Sequence, residues 1–279
     1  MQKLSTLPEQ PLYWTGVLVM AAIGVLTLLA IRVLRRQTAL ARLKNDLAAT
    51  VSHELKTPLS SMRVLVDTLL ESDRIQEQTA REYLQLIAQE NERLSRLIQN
   101  FLTFSRMERR KYTFQFGPVS SEQIIDAAVG AVRERFGAPG CRFEMQVESD
   151  LPQIMADTEA LSTALINLLD NAHKYSEEIK HITLRAHAEN RNVIFSVQDN
   201  GIGIAPRDVR KIFRPFHQAD QRLSRKGSGC GLGLSIVQFI VSAHHGSVAV
   251  KSEPGRGSTF TISVPAGSAT TTLRKEAIA

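Results

Sequence analysis

Apolar residues recur at spacings of three and four through two consecutive stretches, and the pattern stops at Gly117-Pro118. The first stretch carries Leu47, Val51, Leu55, Pro58, Met62, Leu65 and Leu69. The second carries Leu84, Ile87, Asn91, Leu94, Ile98 and Phe101. At about 100° per residue, each set falls on one face of a helix. The polar segment 72–78 between them reads as a turn. Helices over residues 39–70 and 79–109 therefore make an antiparallel hairpin. One hairpin cannot bury both seams by itself, so a homodimer pairing residues of about 39–109 into a four-helix bundle is expected. Asn91 suits either a register-setting seam position or a solvated rim.

Beyond residue 117 the pattern is mixed α/β. A helix is predicted over 120–136, with Ser120 and Gln123 placed as a capping box. A strand follows at 141–148 and a helix at 157–175. Strands at 181–188 and 193–199 flank the turn Asn190-Arg191-Asn192. Pro206 opens a short helix ending near Phe213. A helix over 232–243 has Gly246 at its expected C-cap. Strands at 247–252 and 259–264 close a hairpin around Gly255-Arg256-Gly257. The fold class is an all-α hairpin followed by an α/β sandwich domain, over residues 35–110 and 111–266. Residues 267–279 form a small, polar, flexible tail.

At the other end, residues 12–31 hold 20 positions without a charge. A bilayer core needs about 20 apolar residues as a helix. Tyr13 and Trp14 stand at its leading edge, where amphipathic rings favour the headgroup zone. Arg32, Arg35, Arg36, Arg42 and Lys44 follow, against Lys3 alone before it. A transmembrane helix at 12–34 is expected, with a short extracytoplasmic tail at 1–11 and the remainder in the cytoplasm. A signal peptide fits less well, because the apolar run is long and its start carries little positive charge. The net charge of +6 lies partly beside this segment and needs no nucleic-acid partner to explain it. Cys141 and Cys230 are too far apart to make a metal cluster and read as reduced thiols.

The run Ser52-His53-Glu54-Leu55-Lys56-Thr57-Pro58 lies inside the first helical stretch. His53 falls about 150° from the centre of the apolar stripe, so its imidazole is predicted to face solvent. Pro58 lacks an N–H and cannot bond the carbonyl of Glu54, which loosens the turn there. An exposed imidazole beside a carboxylate suggests self-phosphorylation on histidine. That chemistry demands an ATP site elsewhere in the chain.

Four separated segments supply its parts. Asn167, Asn171, Lys174 and Tyr175 are spaced to share a helical face. Amide oxygens suit magnesium, and a lysine suits phosphate. Asp199-Asn200-Gly201-Ile202-Gly203-Ile204 follows a strand, where a carboxylate can accept from an adenine amino group. Gly227-Ser228-Gly229-Cys230-Gly231-Leu232-Gly233 opens a helix and offers free backbone N–H groups to phosphates. Gly255-Arg256-Gly257-Ser258-Thr259-Phe260 is the fourth. Arg222, Arg225 and Lys226 precede the third and read either as a lid over phosphates or as a solvated charge run. Each segment alone is compatible with an ordinary turn, cap or polar face.

In order and spacing together, residues 40–265 resemble the sensor histidine kinases of two-component systems. The likeness is to a HisKA-type hairpin joined to an ATP-binding domain of the GHKL class. His53 and its neighbours match the H box, and Phe213-Arg214-Pro215-Phe216 the F box. Asn167 to Tyr175 match the N box, and the two glycine segments the glycine boxes.

The resemblance implies ATP and Mg2+ as cofactors and a response regulator as partner. It implies His53 as phosphoacceptor and Glu54 as the base that takes its Nδ1 proton. Asn167 would hold magnesium, with Asn171 and Lys174 near the phosphates and Tyr175 beside the nucleotide. Asp199 would read adenine. Gly201, Gly203, Gly227, Gly229, Gly231, Gly233 and Thr259 complete the pocket. Thr57, in Glu54-Leu55-Lys56-Thr57, would help place water for regulator dephosphorylation. A catalytically idle scaffold and a different GHKL ATPase are the competing readings. The intact Glu54, Asn167 and Asp199 count against the first, and the histidine hairpin against the second.

Overall fold

A computed structural model of the chain describes residues 10–71, 76–109, 111–218 and 230–267. The chain divides into two compact units, Met1–Ser52 and His53–Ala279. Helix α1 (Gln10–Glu71) is continuous over 62 residues. In the first unit, the large apolar side chains described between Trp14 and Leu34 are all exposed. Among the described residues, no helix is long and apolar enough to cross a membrane. The transmembrane helix expected at 12–34 is therefore not supported by the structure.

In the second unit, the rest of α1 and helix α2 (Glu77–Glu108) form the two helical stretches. Pro58 lies inside α1 and is buried. On α2 the buried apolar residues are Leu97 and Phe104, whereas Leu84 and Ile98 of the predicted seam are exposed. A single chain thus leaves that seam open.

The remainder is a two-layer α/β domain. A five-stranded sheet has the order β2-β4-β5-β7-β6. Its strands are β2 (Cys141–Val147), β4 (Lys180–Glu189), β5 (Asn192–Asp199), β6 (Ser247–Glu253) and β7 (Gly257–Pro265). Only the β2–β4 pair is parallel. Helices α3 (Ser121–Phe136), α4 (Thr158–Tyr175) and α5 (Gly233–Ala243) supply the second layer. Ile124, Leu165, Leu168, Leu169, Ile236 and Ile240 of the helices are fully buried, as are Ile182, Leu184, Phe195 and Ile262 of the sheet. Strand β5 is buried continuously from Val193 to Val197, and the phase of Val193, Phe195 and Val197 carries Asp199 inward at the strand end.

The capping box at Ser120 and Gln123 is present in both directions. Two short strands, β1 (Gly117–Val119) and β3 (Ile154–Ala156), pair with each other. They are too short to display an alternating pattern, and the sequence reading missed them. The helix expected from Pro206 to Phe213 is a series of turns. Asp208 bonds back to Ala205, Lys211 to Asp208 and Arg214 to Lys211, all i to i+3. At the end of α5, His245 rather than Gly246 takes the left-handed position, at φ 55°. His245 N–H donates to Ser242 O and Gly246 N–H to Val241 O, which is a Schellman closure. Gly246 is needed for space: a Cβ there would lie 2.3 Å from Ser263 O.

Candidate functional site

The inward phase of β5 leaves Asp199 6% exposed at the edge of the helix layer. Its Oδ1 accepts from Gly201 N–H at 2.8 Å and from Ser258 N–H at 3.2 Å. Burial raises the carboxyl above the ordinary carboxylate range, and these two backbone donors oppose the rise. With Oδ1 occupied, Oδ2 remains to accept from a ligand.

Close backbone approach fixes the surrounding loop. A Cβ on Gly201 would sit 2.2 Å from Tyr175 O. Gly203 has φ +68°, and a Cβ there would meet Glu253 O at 2.1 Å. Ile202 N–H donates to Tyr175 O at 3.1 Å. The end of α4, the loop after β5 and the start of β7 are thus drawn together around one carboxylate.

Along α4, Asn167 is buried, Asn171 and Lys174 are half-buried and Tyr175 is exposed. Asn167 Nδ2 donates to Thr163 O at 3.0 Å, which turns Oδ1 toward α5. That oxygen lies 2.9 Å from where a Cβ on Gly233 would stand. Lys174 Nζ sits 4.7 Å from the centroid of the Tyr175 ring. Gly231, at φ +66°, accepts from Phe216 N–H at 3.0 Å and so ties the F-box segment to the start of α5.

Thr259 shares a cavity with Asp199 and Ser258, but its side chain lies on the other face of the sheet. It is register partner to Gln198 and Lys251, whose side chains point to the opposite face of the sheet. Ser258, one residue earlier, supplies the contact with Asp199 through its backbone N–H, a relation that only the β5–β7 register reveals. The sequence reading also missed Ser252, whose Oγ accepts from Ile204 N–H at 2.8 Å and donates to Gly257 O at 3.0 Å. A cavity of about 340 Å³ shares Asp199 with the cluster, but it runs over β6 and β7 rather than toward Asn167. Gly227, Gly229 and the basic segment Arg222, Arg225 and Lys226 lie outside the described residues.

In the hairpin, Glu54 is 9% exposed, and its Oε2 is buried without a hydrogen-bond partner among the described residues. Glu54 lies near Cys230. Burial first, and then the Glu54 charge, push the Cys230 thiol up to about 11, while Lys174 opposes the shift. Thr57 is exposed. His53 lies in α1, but its side chain is outside the described ones, so the predicted solvent-facing imidazole has no structural counterpart here.

Residues 43–110 match the family described as "His Kinase A (phospho-acceptor) domain". Residues 156–268 match "Histidine kinase-, DNA gyrase B-, and HSP90-like ATPase". The chain belongs to the histidine kinases. Within that family it is 34% identical over 226 residues to the sensor-like histidine kinase SenX3 of Mycobacterium tuberculosis, covering 80% of this chain and 54% of the relative. The chain thus spans about half the length of the curated relatives it first matches.

Full-length ShkA in complex with AMPPNP is 32% identical with a TM-score of 0.57, over 81% of this chain and 47% of that one. Histidine kinase ThkA in complex with response regulator protein TrrA is 21% identical with a TM-score of 0.58, over 79% and 61%, and shares the fold. This histidine kinase carries its hairpin and its ATPase domain in the order that the sequence reading expected.

Proposed function

We propose that this chain is a protein-histidine kinase of a two-component system. It transfers the γ-phosphoryl group of ATP to His53 and then to an aspartate of a response regulator. The reading rests chiefly on one observation: Asp199, Gly201, Ser258 and Tyr175 converge, and Asn167, on the same helix as Tyr175, lies against Gly233 of α5. Asp199 Oδ2 accepts from the adenine amino group, and burial makes that contact selective. Lys174 faces the phosphates from the last turn of α4.

The hard amide oxygen Asn167 Oδ1 fits magnesium, since its own Nδ2 is committed to Thr163 O. When bound, the ion neutralises phosphate charge. His53 Nε2 supplies the electron pair to the γ-phosphorus, and the bond to the β,γ-bridging oxygen breaks. ADP leaves with the electron pair of the broken P–O bond, and the Nδ1 proton passes to Glu54. Positioning and charge neutralisation carry most of such a transfer. Thr57 positions water for dephosphorylation of the regulator.

Two further parts belong to this proposal. The first is a homodimer through residues of about 39–109, supported by the open seam at Leu84 and Ile98. The second is a single membrane anchor at 12–34 with the kinase domains in the cytoplasm. It is supported by the charge-free segment 12–31, by apolar residues exposed on every side of α1 there, and by the arginines that follow.

Incubation with γ-labelled ATP and magnesium tests the central claim. Acid-labile, base-stable label lost in His53→Gln is the expected result. ATP hydrolysis indifferent to that substitution would instead indicate another ATPase of this class. Resistance to alkaline extraction from membranes tests the anchor.

A further inference from the structure

Strand register carries a row of side chains across one end of the sheet. Ile182 of β4 pairs with Asp199 of β5, and Ser252 of β6 pairs with Ser258 of β7. Gln198 pairs with Thr259, so the next step of that ladder sets Asp199 opposite Ser258, and Ser258 N–H does bond Asp199 Oδ1. Directly opposed residues share a face. Asp199, Ser258 and Ser252 thus stand side by side on the face toward the helix layer, and all three line the cavity of about 340 Å³. We infer that Ser252 is a positioning residue of the nucleotide pocket. It fixes the hydroxyl proton of Ser258, so that the pocket shows a base only acceptors and prefers a 6-amino purine to a 6-oxo purine. This deepens the kinase reading and rests on its adenine site.

A serine hydroxyl has one proton to give and two lone pairs that receive. Among the described residues, three polar atoms lie close to Ser252 Oγ: Ile204 N at 2.8 Å, Gly257 O at 3.0 Å and Ser258 Oγ at 3.0 Å. The Ile204 N–H can only donate, and Gly257 O can only accept. Were the Ser252 proton turned to Ser258, the lone pairs of Ser252 Oγ and Gly257 O would face each other at 3.0 Å. The proton therefore goes to Gly257 O, and the second lone pair of Ser252 receives the proton of Ser258. Every bonding position on Ser252 is then filled. Ser258, itself buried, has no proton left for a ligand and presents lone pairs.

The neighbouring group has the same polarity. Asp199 Oδ1 is occupied by Gly201 N–H and Ser258 N–H, which leaves Oδ2 as an acceptor. Adjacent strands lie about 4.8 Å apart, so one amino group, or one water that it holds, reaches acceptors on both strands. The 6-amino group of adenine carries two protons and suits this pair. A 6-oxo group carries none and meets lone pairs there. Ser252 also holds the loop after β5: Ile204 N–H rests on its hydroxyl, and Gly255 N–H bonds Ile202 O at 2.9 Å. Ser252 acts through Ser258 and that loop rather than on the base.

Calorimetric titration of the full chain with ATP and with inosine triphosphate, each with magnesium, tests the inference. The two nucleotides differ in their amino and oxo groups at position 6. Ser252→Ala frees the Ser258 hydroxyl to turn its proton toward the base. The ratio of ATP affinity to inosine triphosphate affinity should fall by about tenfold, with ATP bound more weakly and inosine triphosphate no worse. Ser252→Cys keeps the volume but bonds weakly, and serves as the second variant in case the first fails to fold. Ser258→Ala, whose N–H still serves Asp199, should lower the ratio as well. Adding Ser252→Ala to it should then change the ratio little further.

A wild-type ratio in Ser252→Ala overturns the inference and leaves the adenine site standing. So does an equal fall in affinity for both nucleotides, which is what a purely structural role produces. A further fall in the double variant as large as that in Ser252→Ala alone removes Ser258 as the intermediary and overturns it too. If neither Ser252 variant folds, an unchanged ratio in Ser258→Ala overturns the inference and a lowered one supports it. Wild-type chain that binds the two nucleotides alike, or binds neither, overturns the adenine reading, and the inference with it.

Discussion

His244 Nε2 accepts the backbone N–H of Asp157 at 2.9 Å, joining the C-cap of α5 to the N-cap of α4. Its Nδ1 lies 2.7 Å from Ile240 O, so the proton resides on Nδ1 and the ring is neutral. A second proton on Nε2 would face the Asp157 N–H head-on. Asp157 in turn caps α4 through Ala160 N–H, so one imidazole supports the start of the helix that carries Asn167.

The first prediction concerns acid stability. Burial lowers His244, with the Ile240 carbonyl and Asp157 opposing and His245 reinforcing the shift. His173 is lowered to about 4 by burial and then by Lys180 and Arg135. An unfolded histidine titrates near pH 6.5. A folded pKa below that value gives stability that is complete above about pH 6.5 and is lost as pH falls through the folded pKa. The urea midpoint of the ATPase domain should therefore fall from about pH 6.5 toward pH 4. His173→Leu should flatten that decline. A midpoint that falls equally in the variant would rule out His173 as a contributor.

A second prediction separates glycines that need space from those that do not. Gly130, inside α3, has nothing within 4 Å of an added Cβ, so Gly130→Ala should stabilise by about 0.5–1 kcal/mol. Gly201→Ala drives a methyl into Tyr175 O and should destabilise while weakening nucleotide binding. Thermal melts and ATP titrations of the pair check the contrast, and equal effects would contradict the close approach described here.

Asp199→Asn gives the third. An asparagine can keep an acceptor for Gly201 and Ser258 N–H but presents an NH2 group where Oδ2 stood. Loss of a hydrogen bond to a charged group is worth about 1.5–3 kcal/mol, so ATP affinity should fall tenfold or more. Circular dichroism should be unchanged. Calorimetric titration with ATP is the measurement, and wild-type affinity in the variant would remove Asp199 from the adenine site.

Much of this was legible in the sequence because it depends on short-range patterns. Apolar spacing of three and four gave α2 almost to its ends, and Ser120 with Gln123 gave the start of α3. The contact between Asp199 and Gly201 lies two residues apart and needed only a strand followed by glycine. Long-range relations were not legible. Ser258 reaches Asp199 across 59 residues, and only the β5–β7 register selects it over Thr259. The aromatic run from Tyr112 to Phe116 reads as a linker until Phe239 and His244 are brought beneath it. Gly246 looked like a left-handed cap because propensity ranks glycine first there, yet His245 holds that conformation. The burial of Glu54 depends on docking between separated segments, which no local pattern encodes.

The last prediction tests that docking directly. Phe104 and Phe216 lie 112 residues apart and meet with rings 80° from coplanar, the edge-to-face arrangement that aromatic quadrupoles favour. Phe104 is 3% exposed, so truncation removes contacts as well as hydrophobic burial. Phe104→Ala and Phe216→Ala should each loosen the hairpin from the ATPase domain and speed proteolysis near residues 109–111. If the rings meet in solution, the double variant should be less damaged than the sum of the singles. The coupling in a double-mutant cycle of urea unfolding should be about 0.5–1.5 kcal/mol. Strict additivity would mean that the two rings do not touch, and the seat of Glu54 beside Cys230 would lose one of its supports.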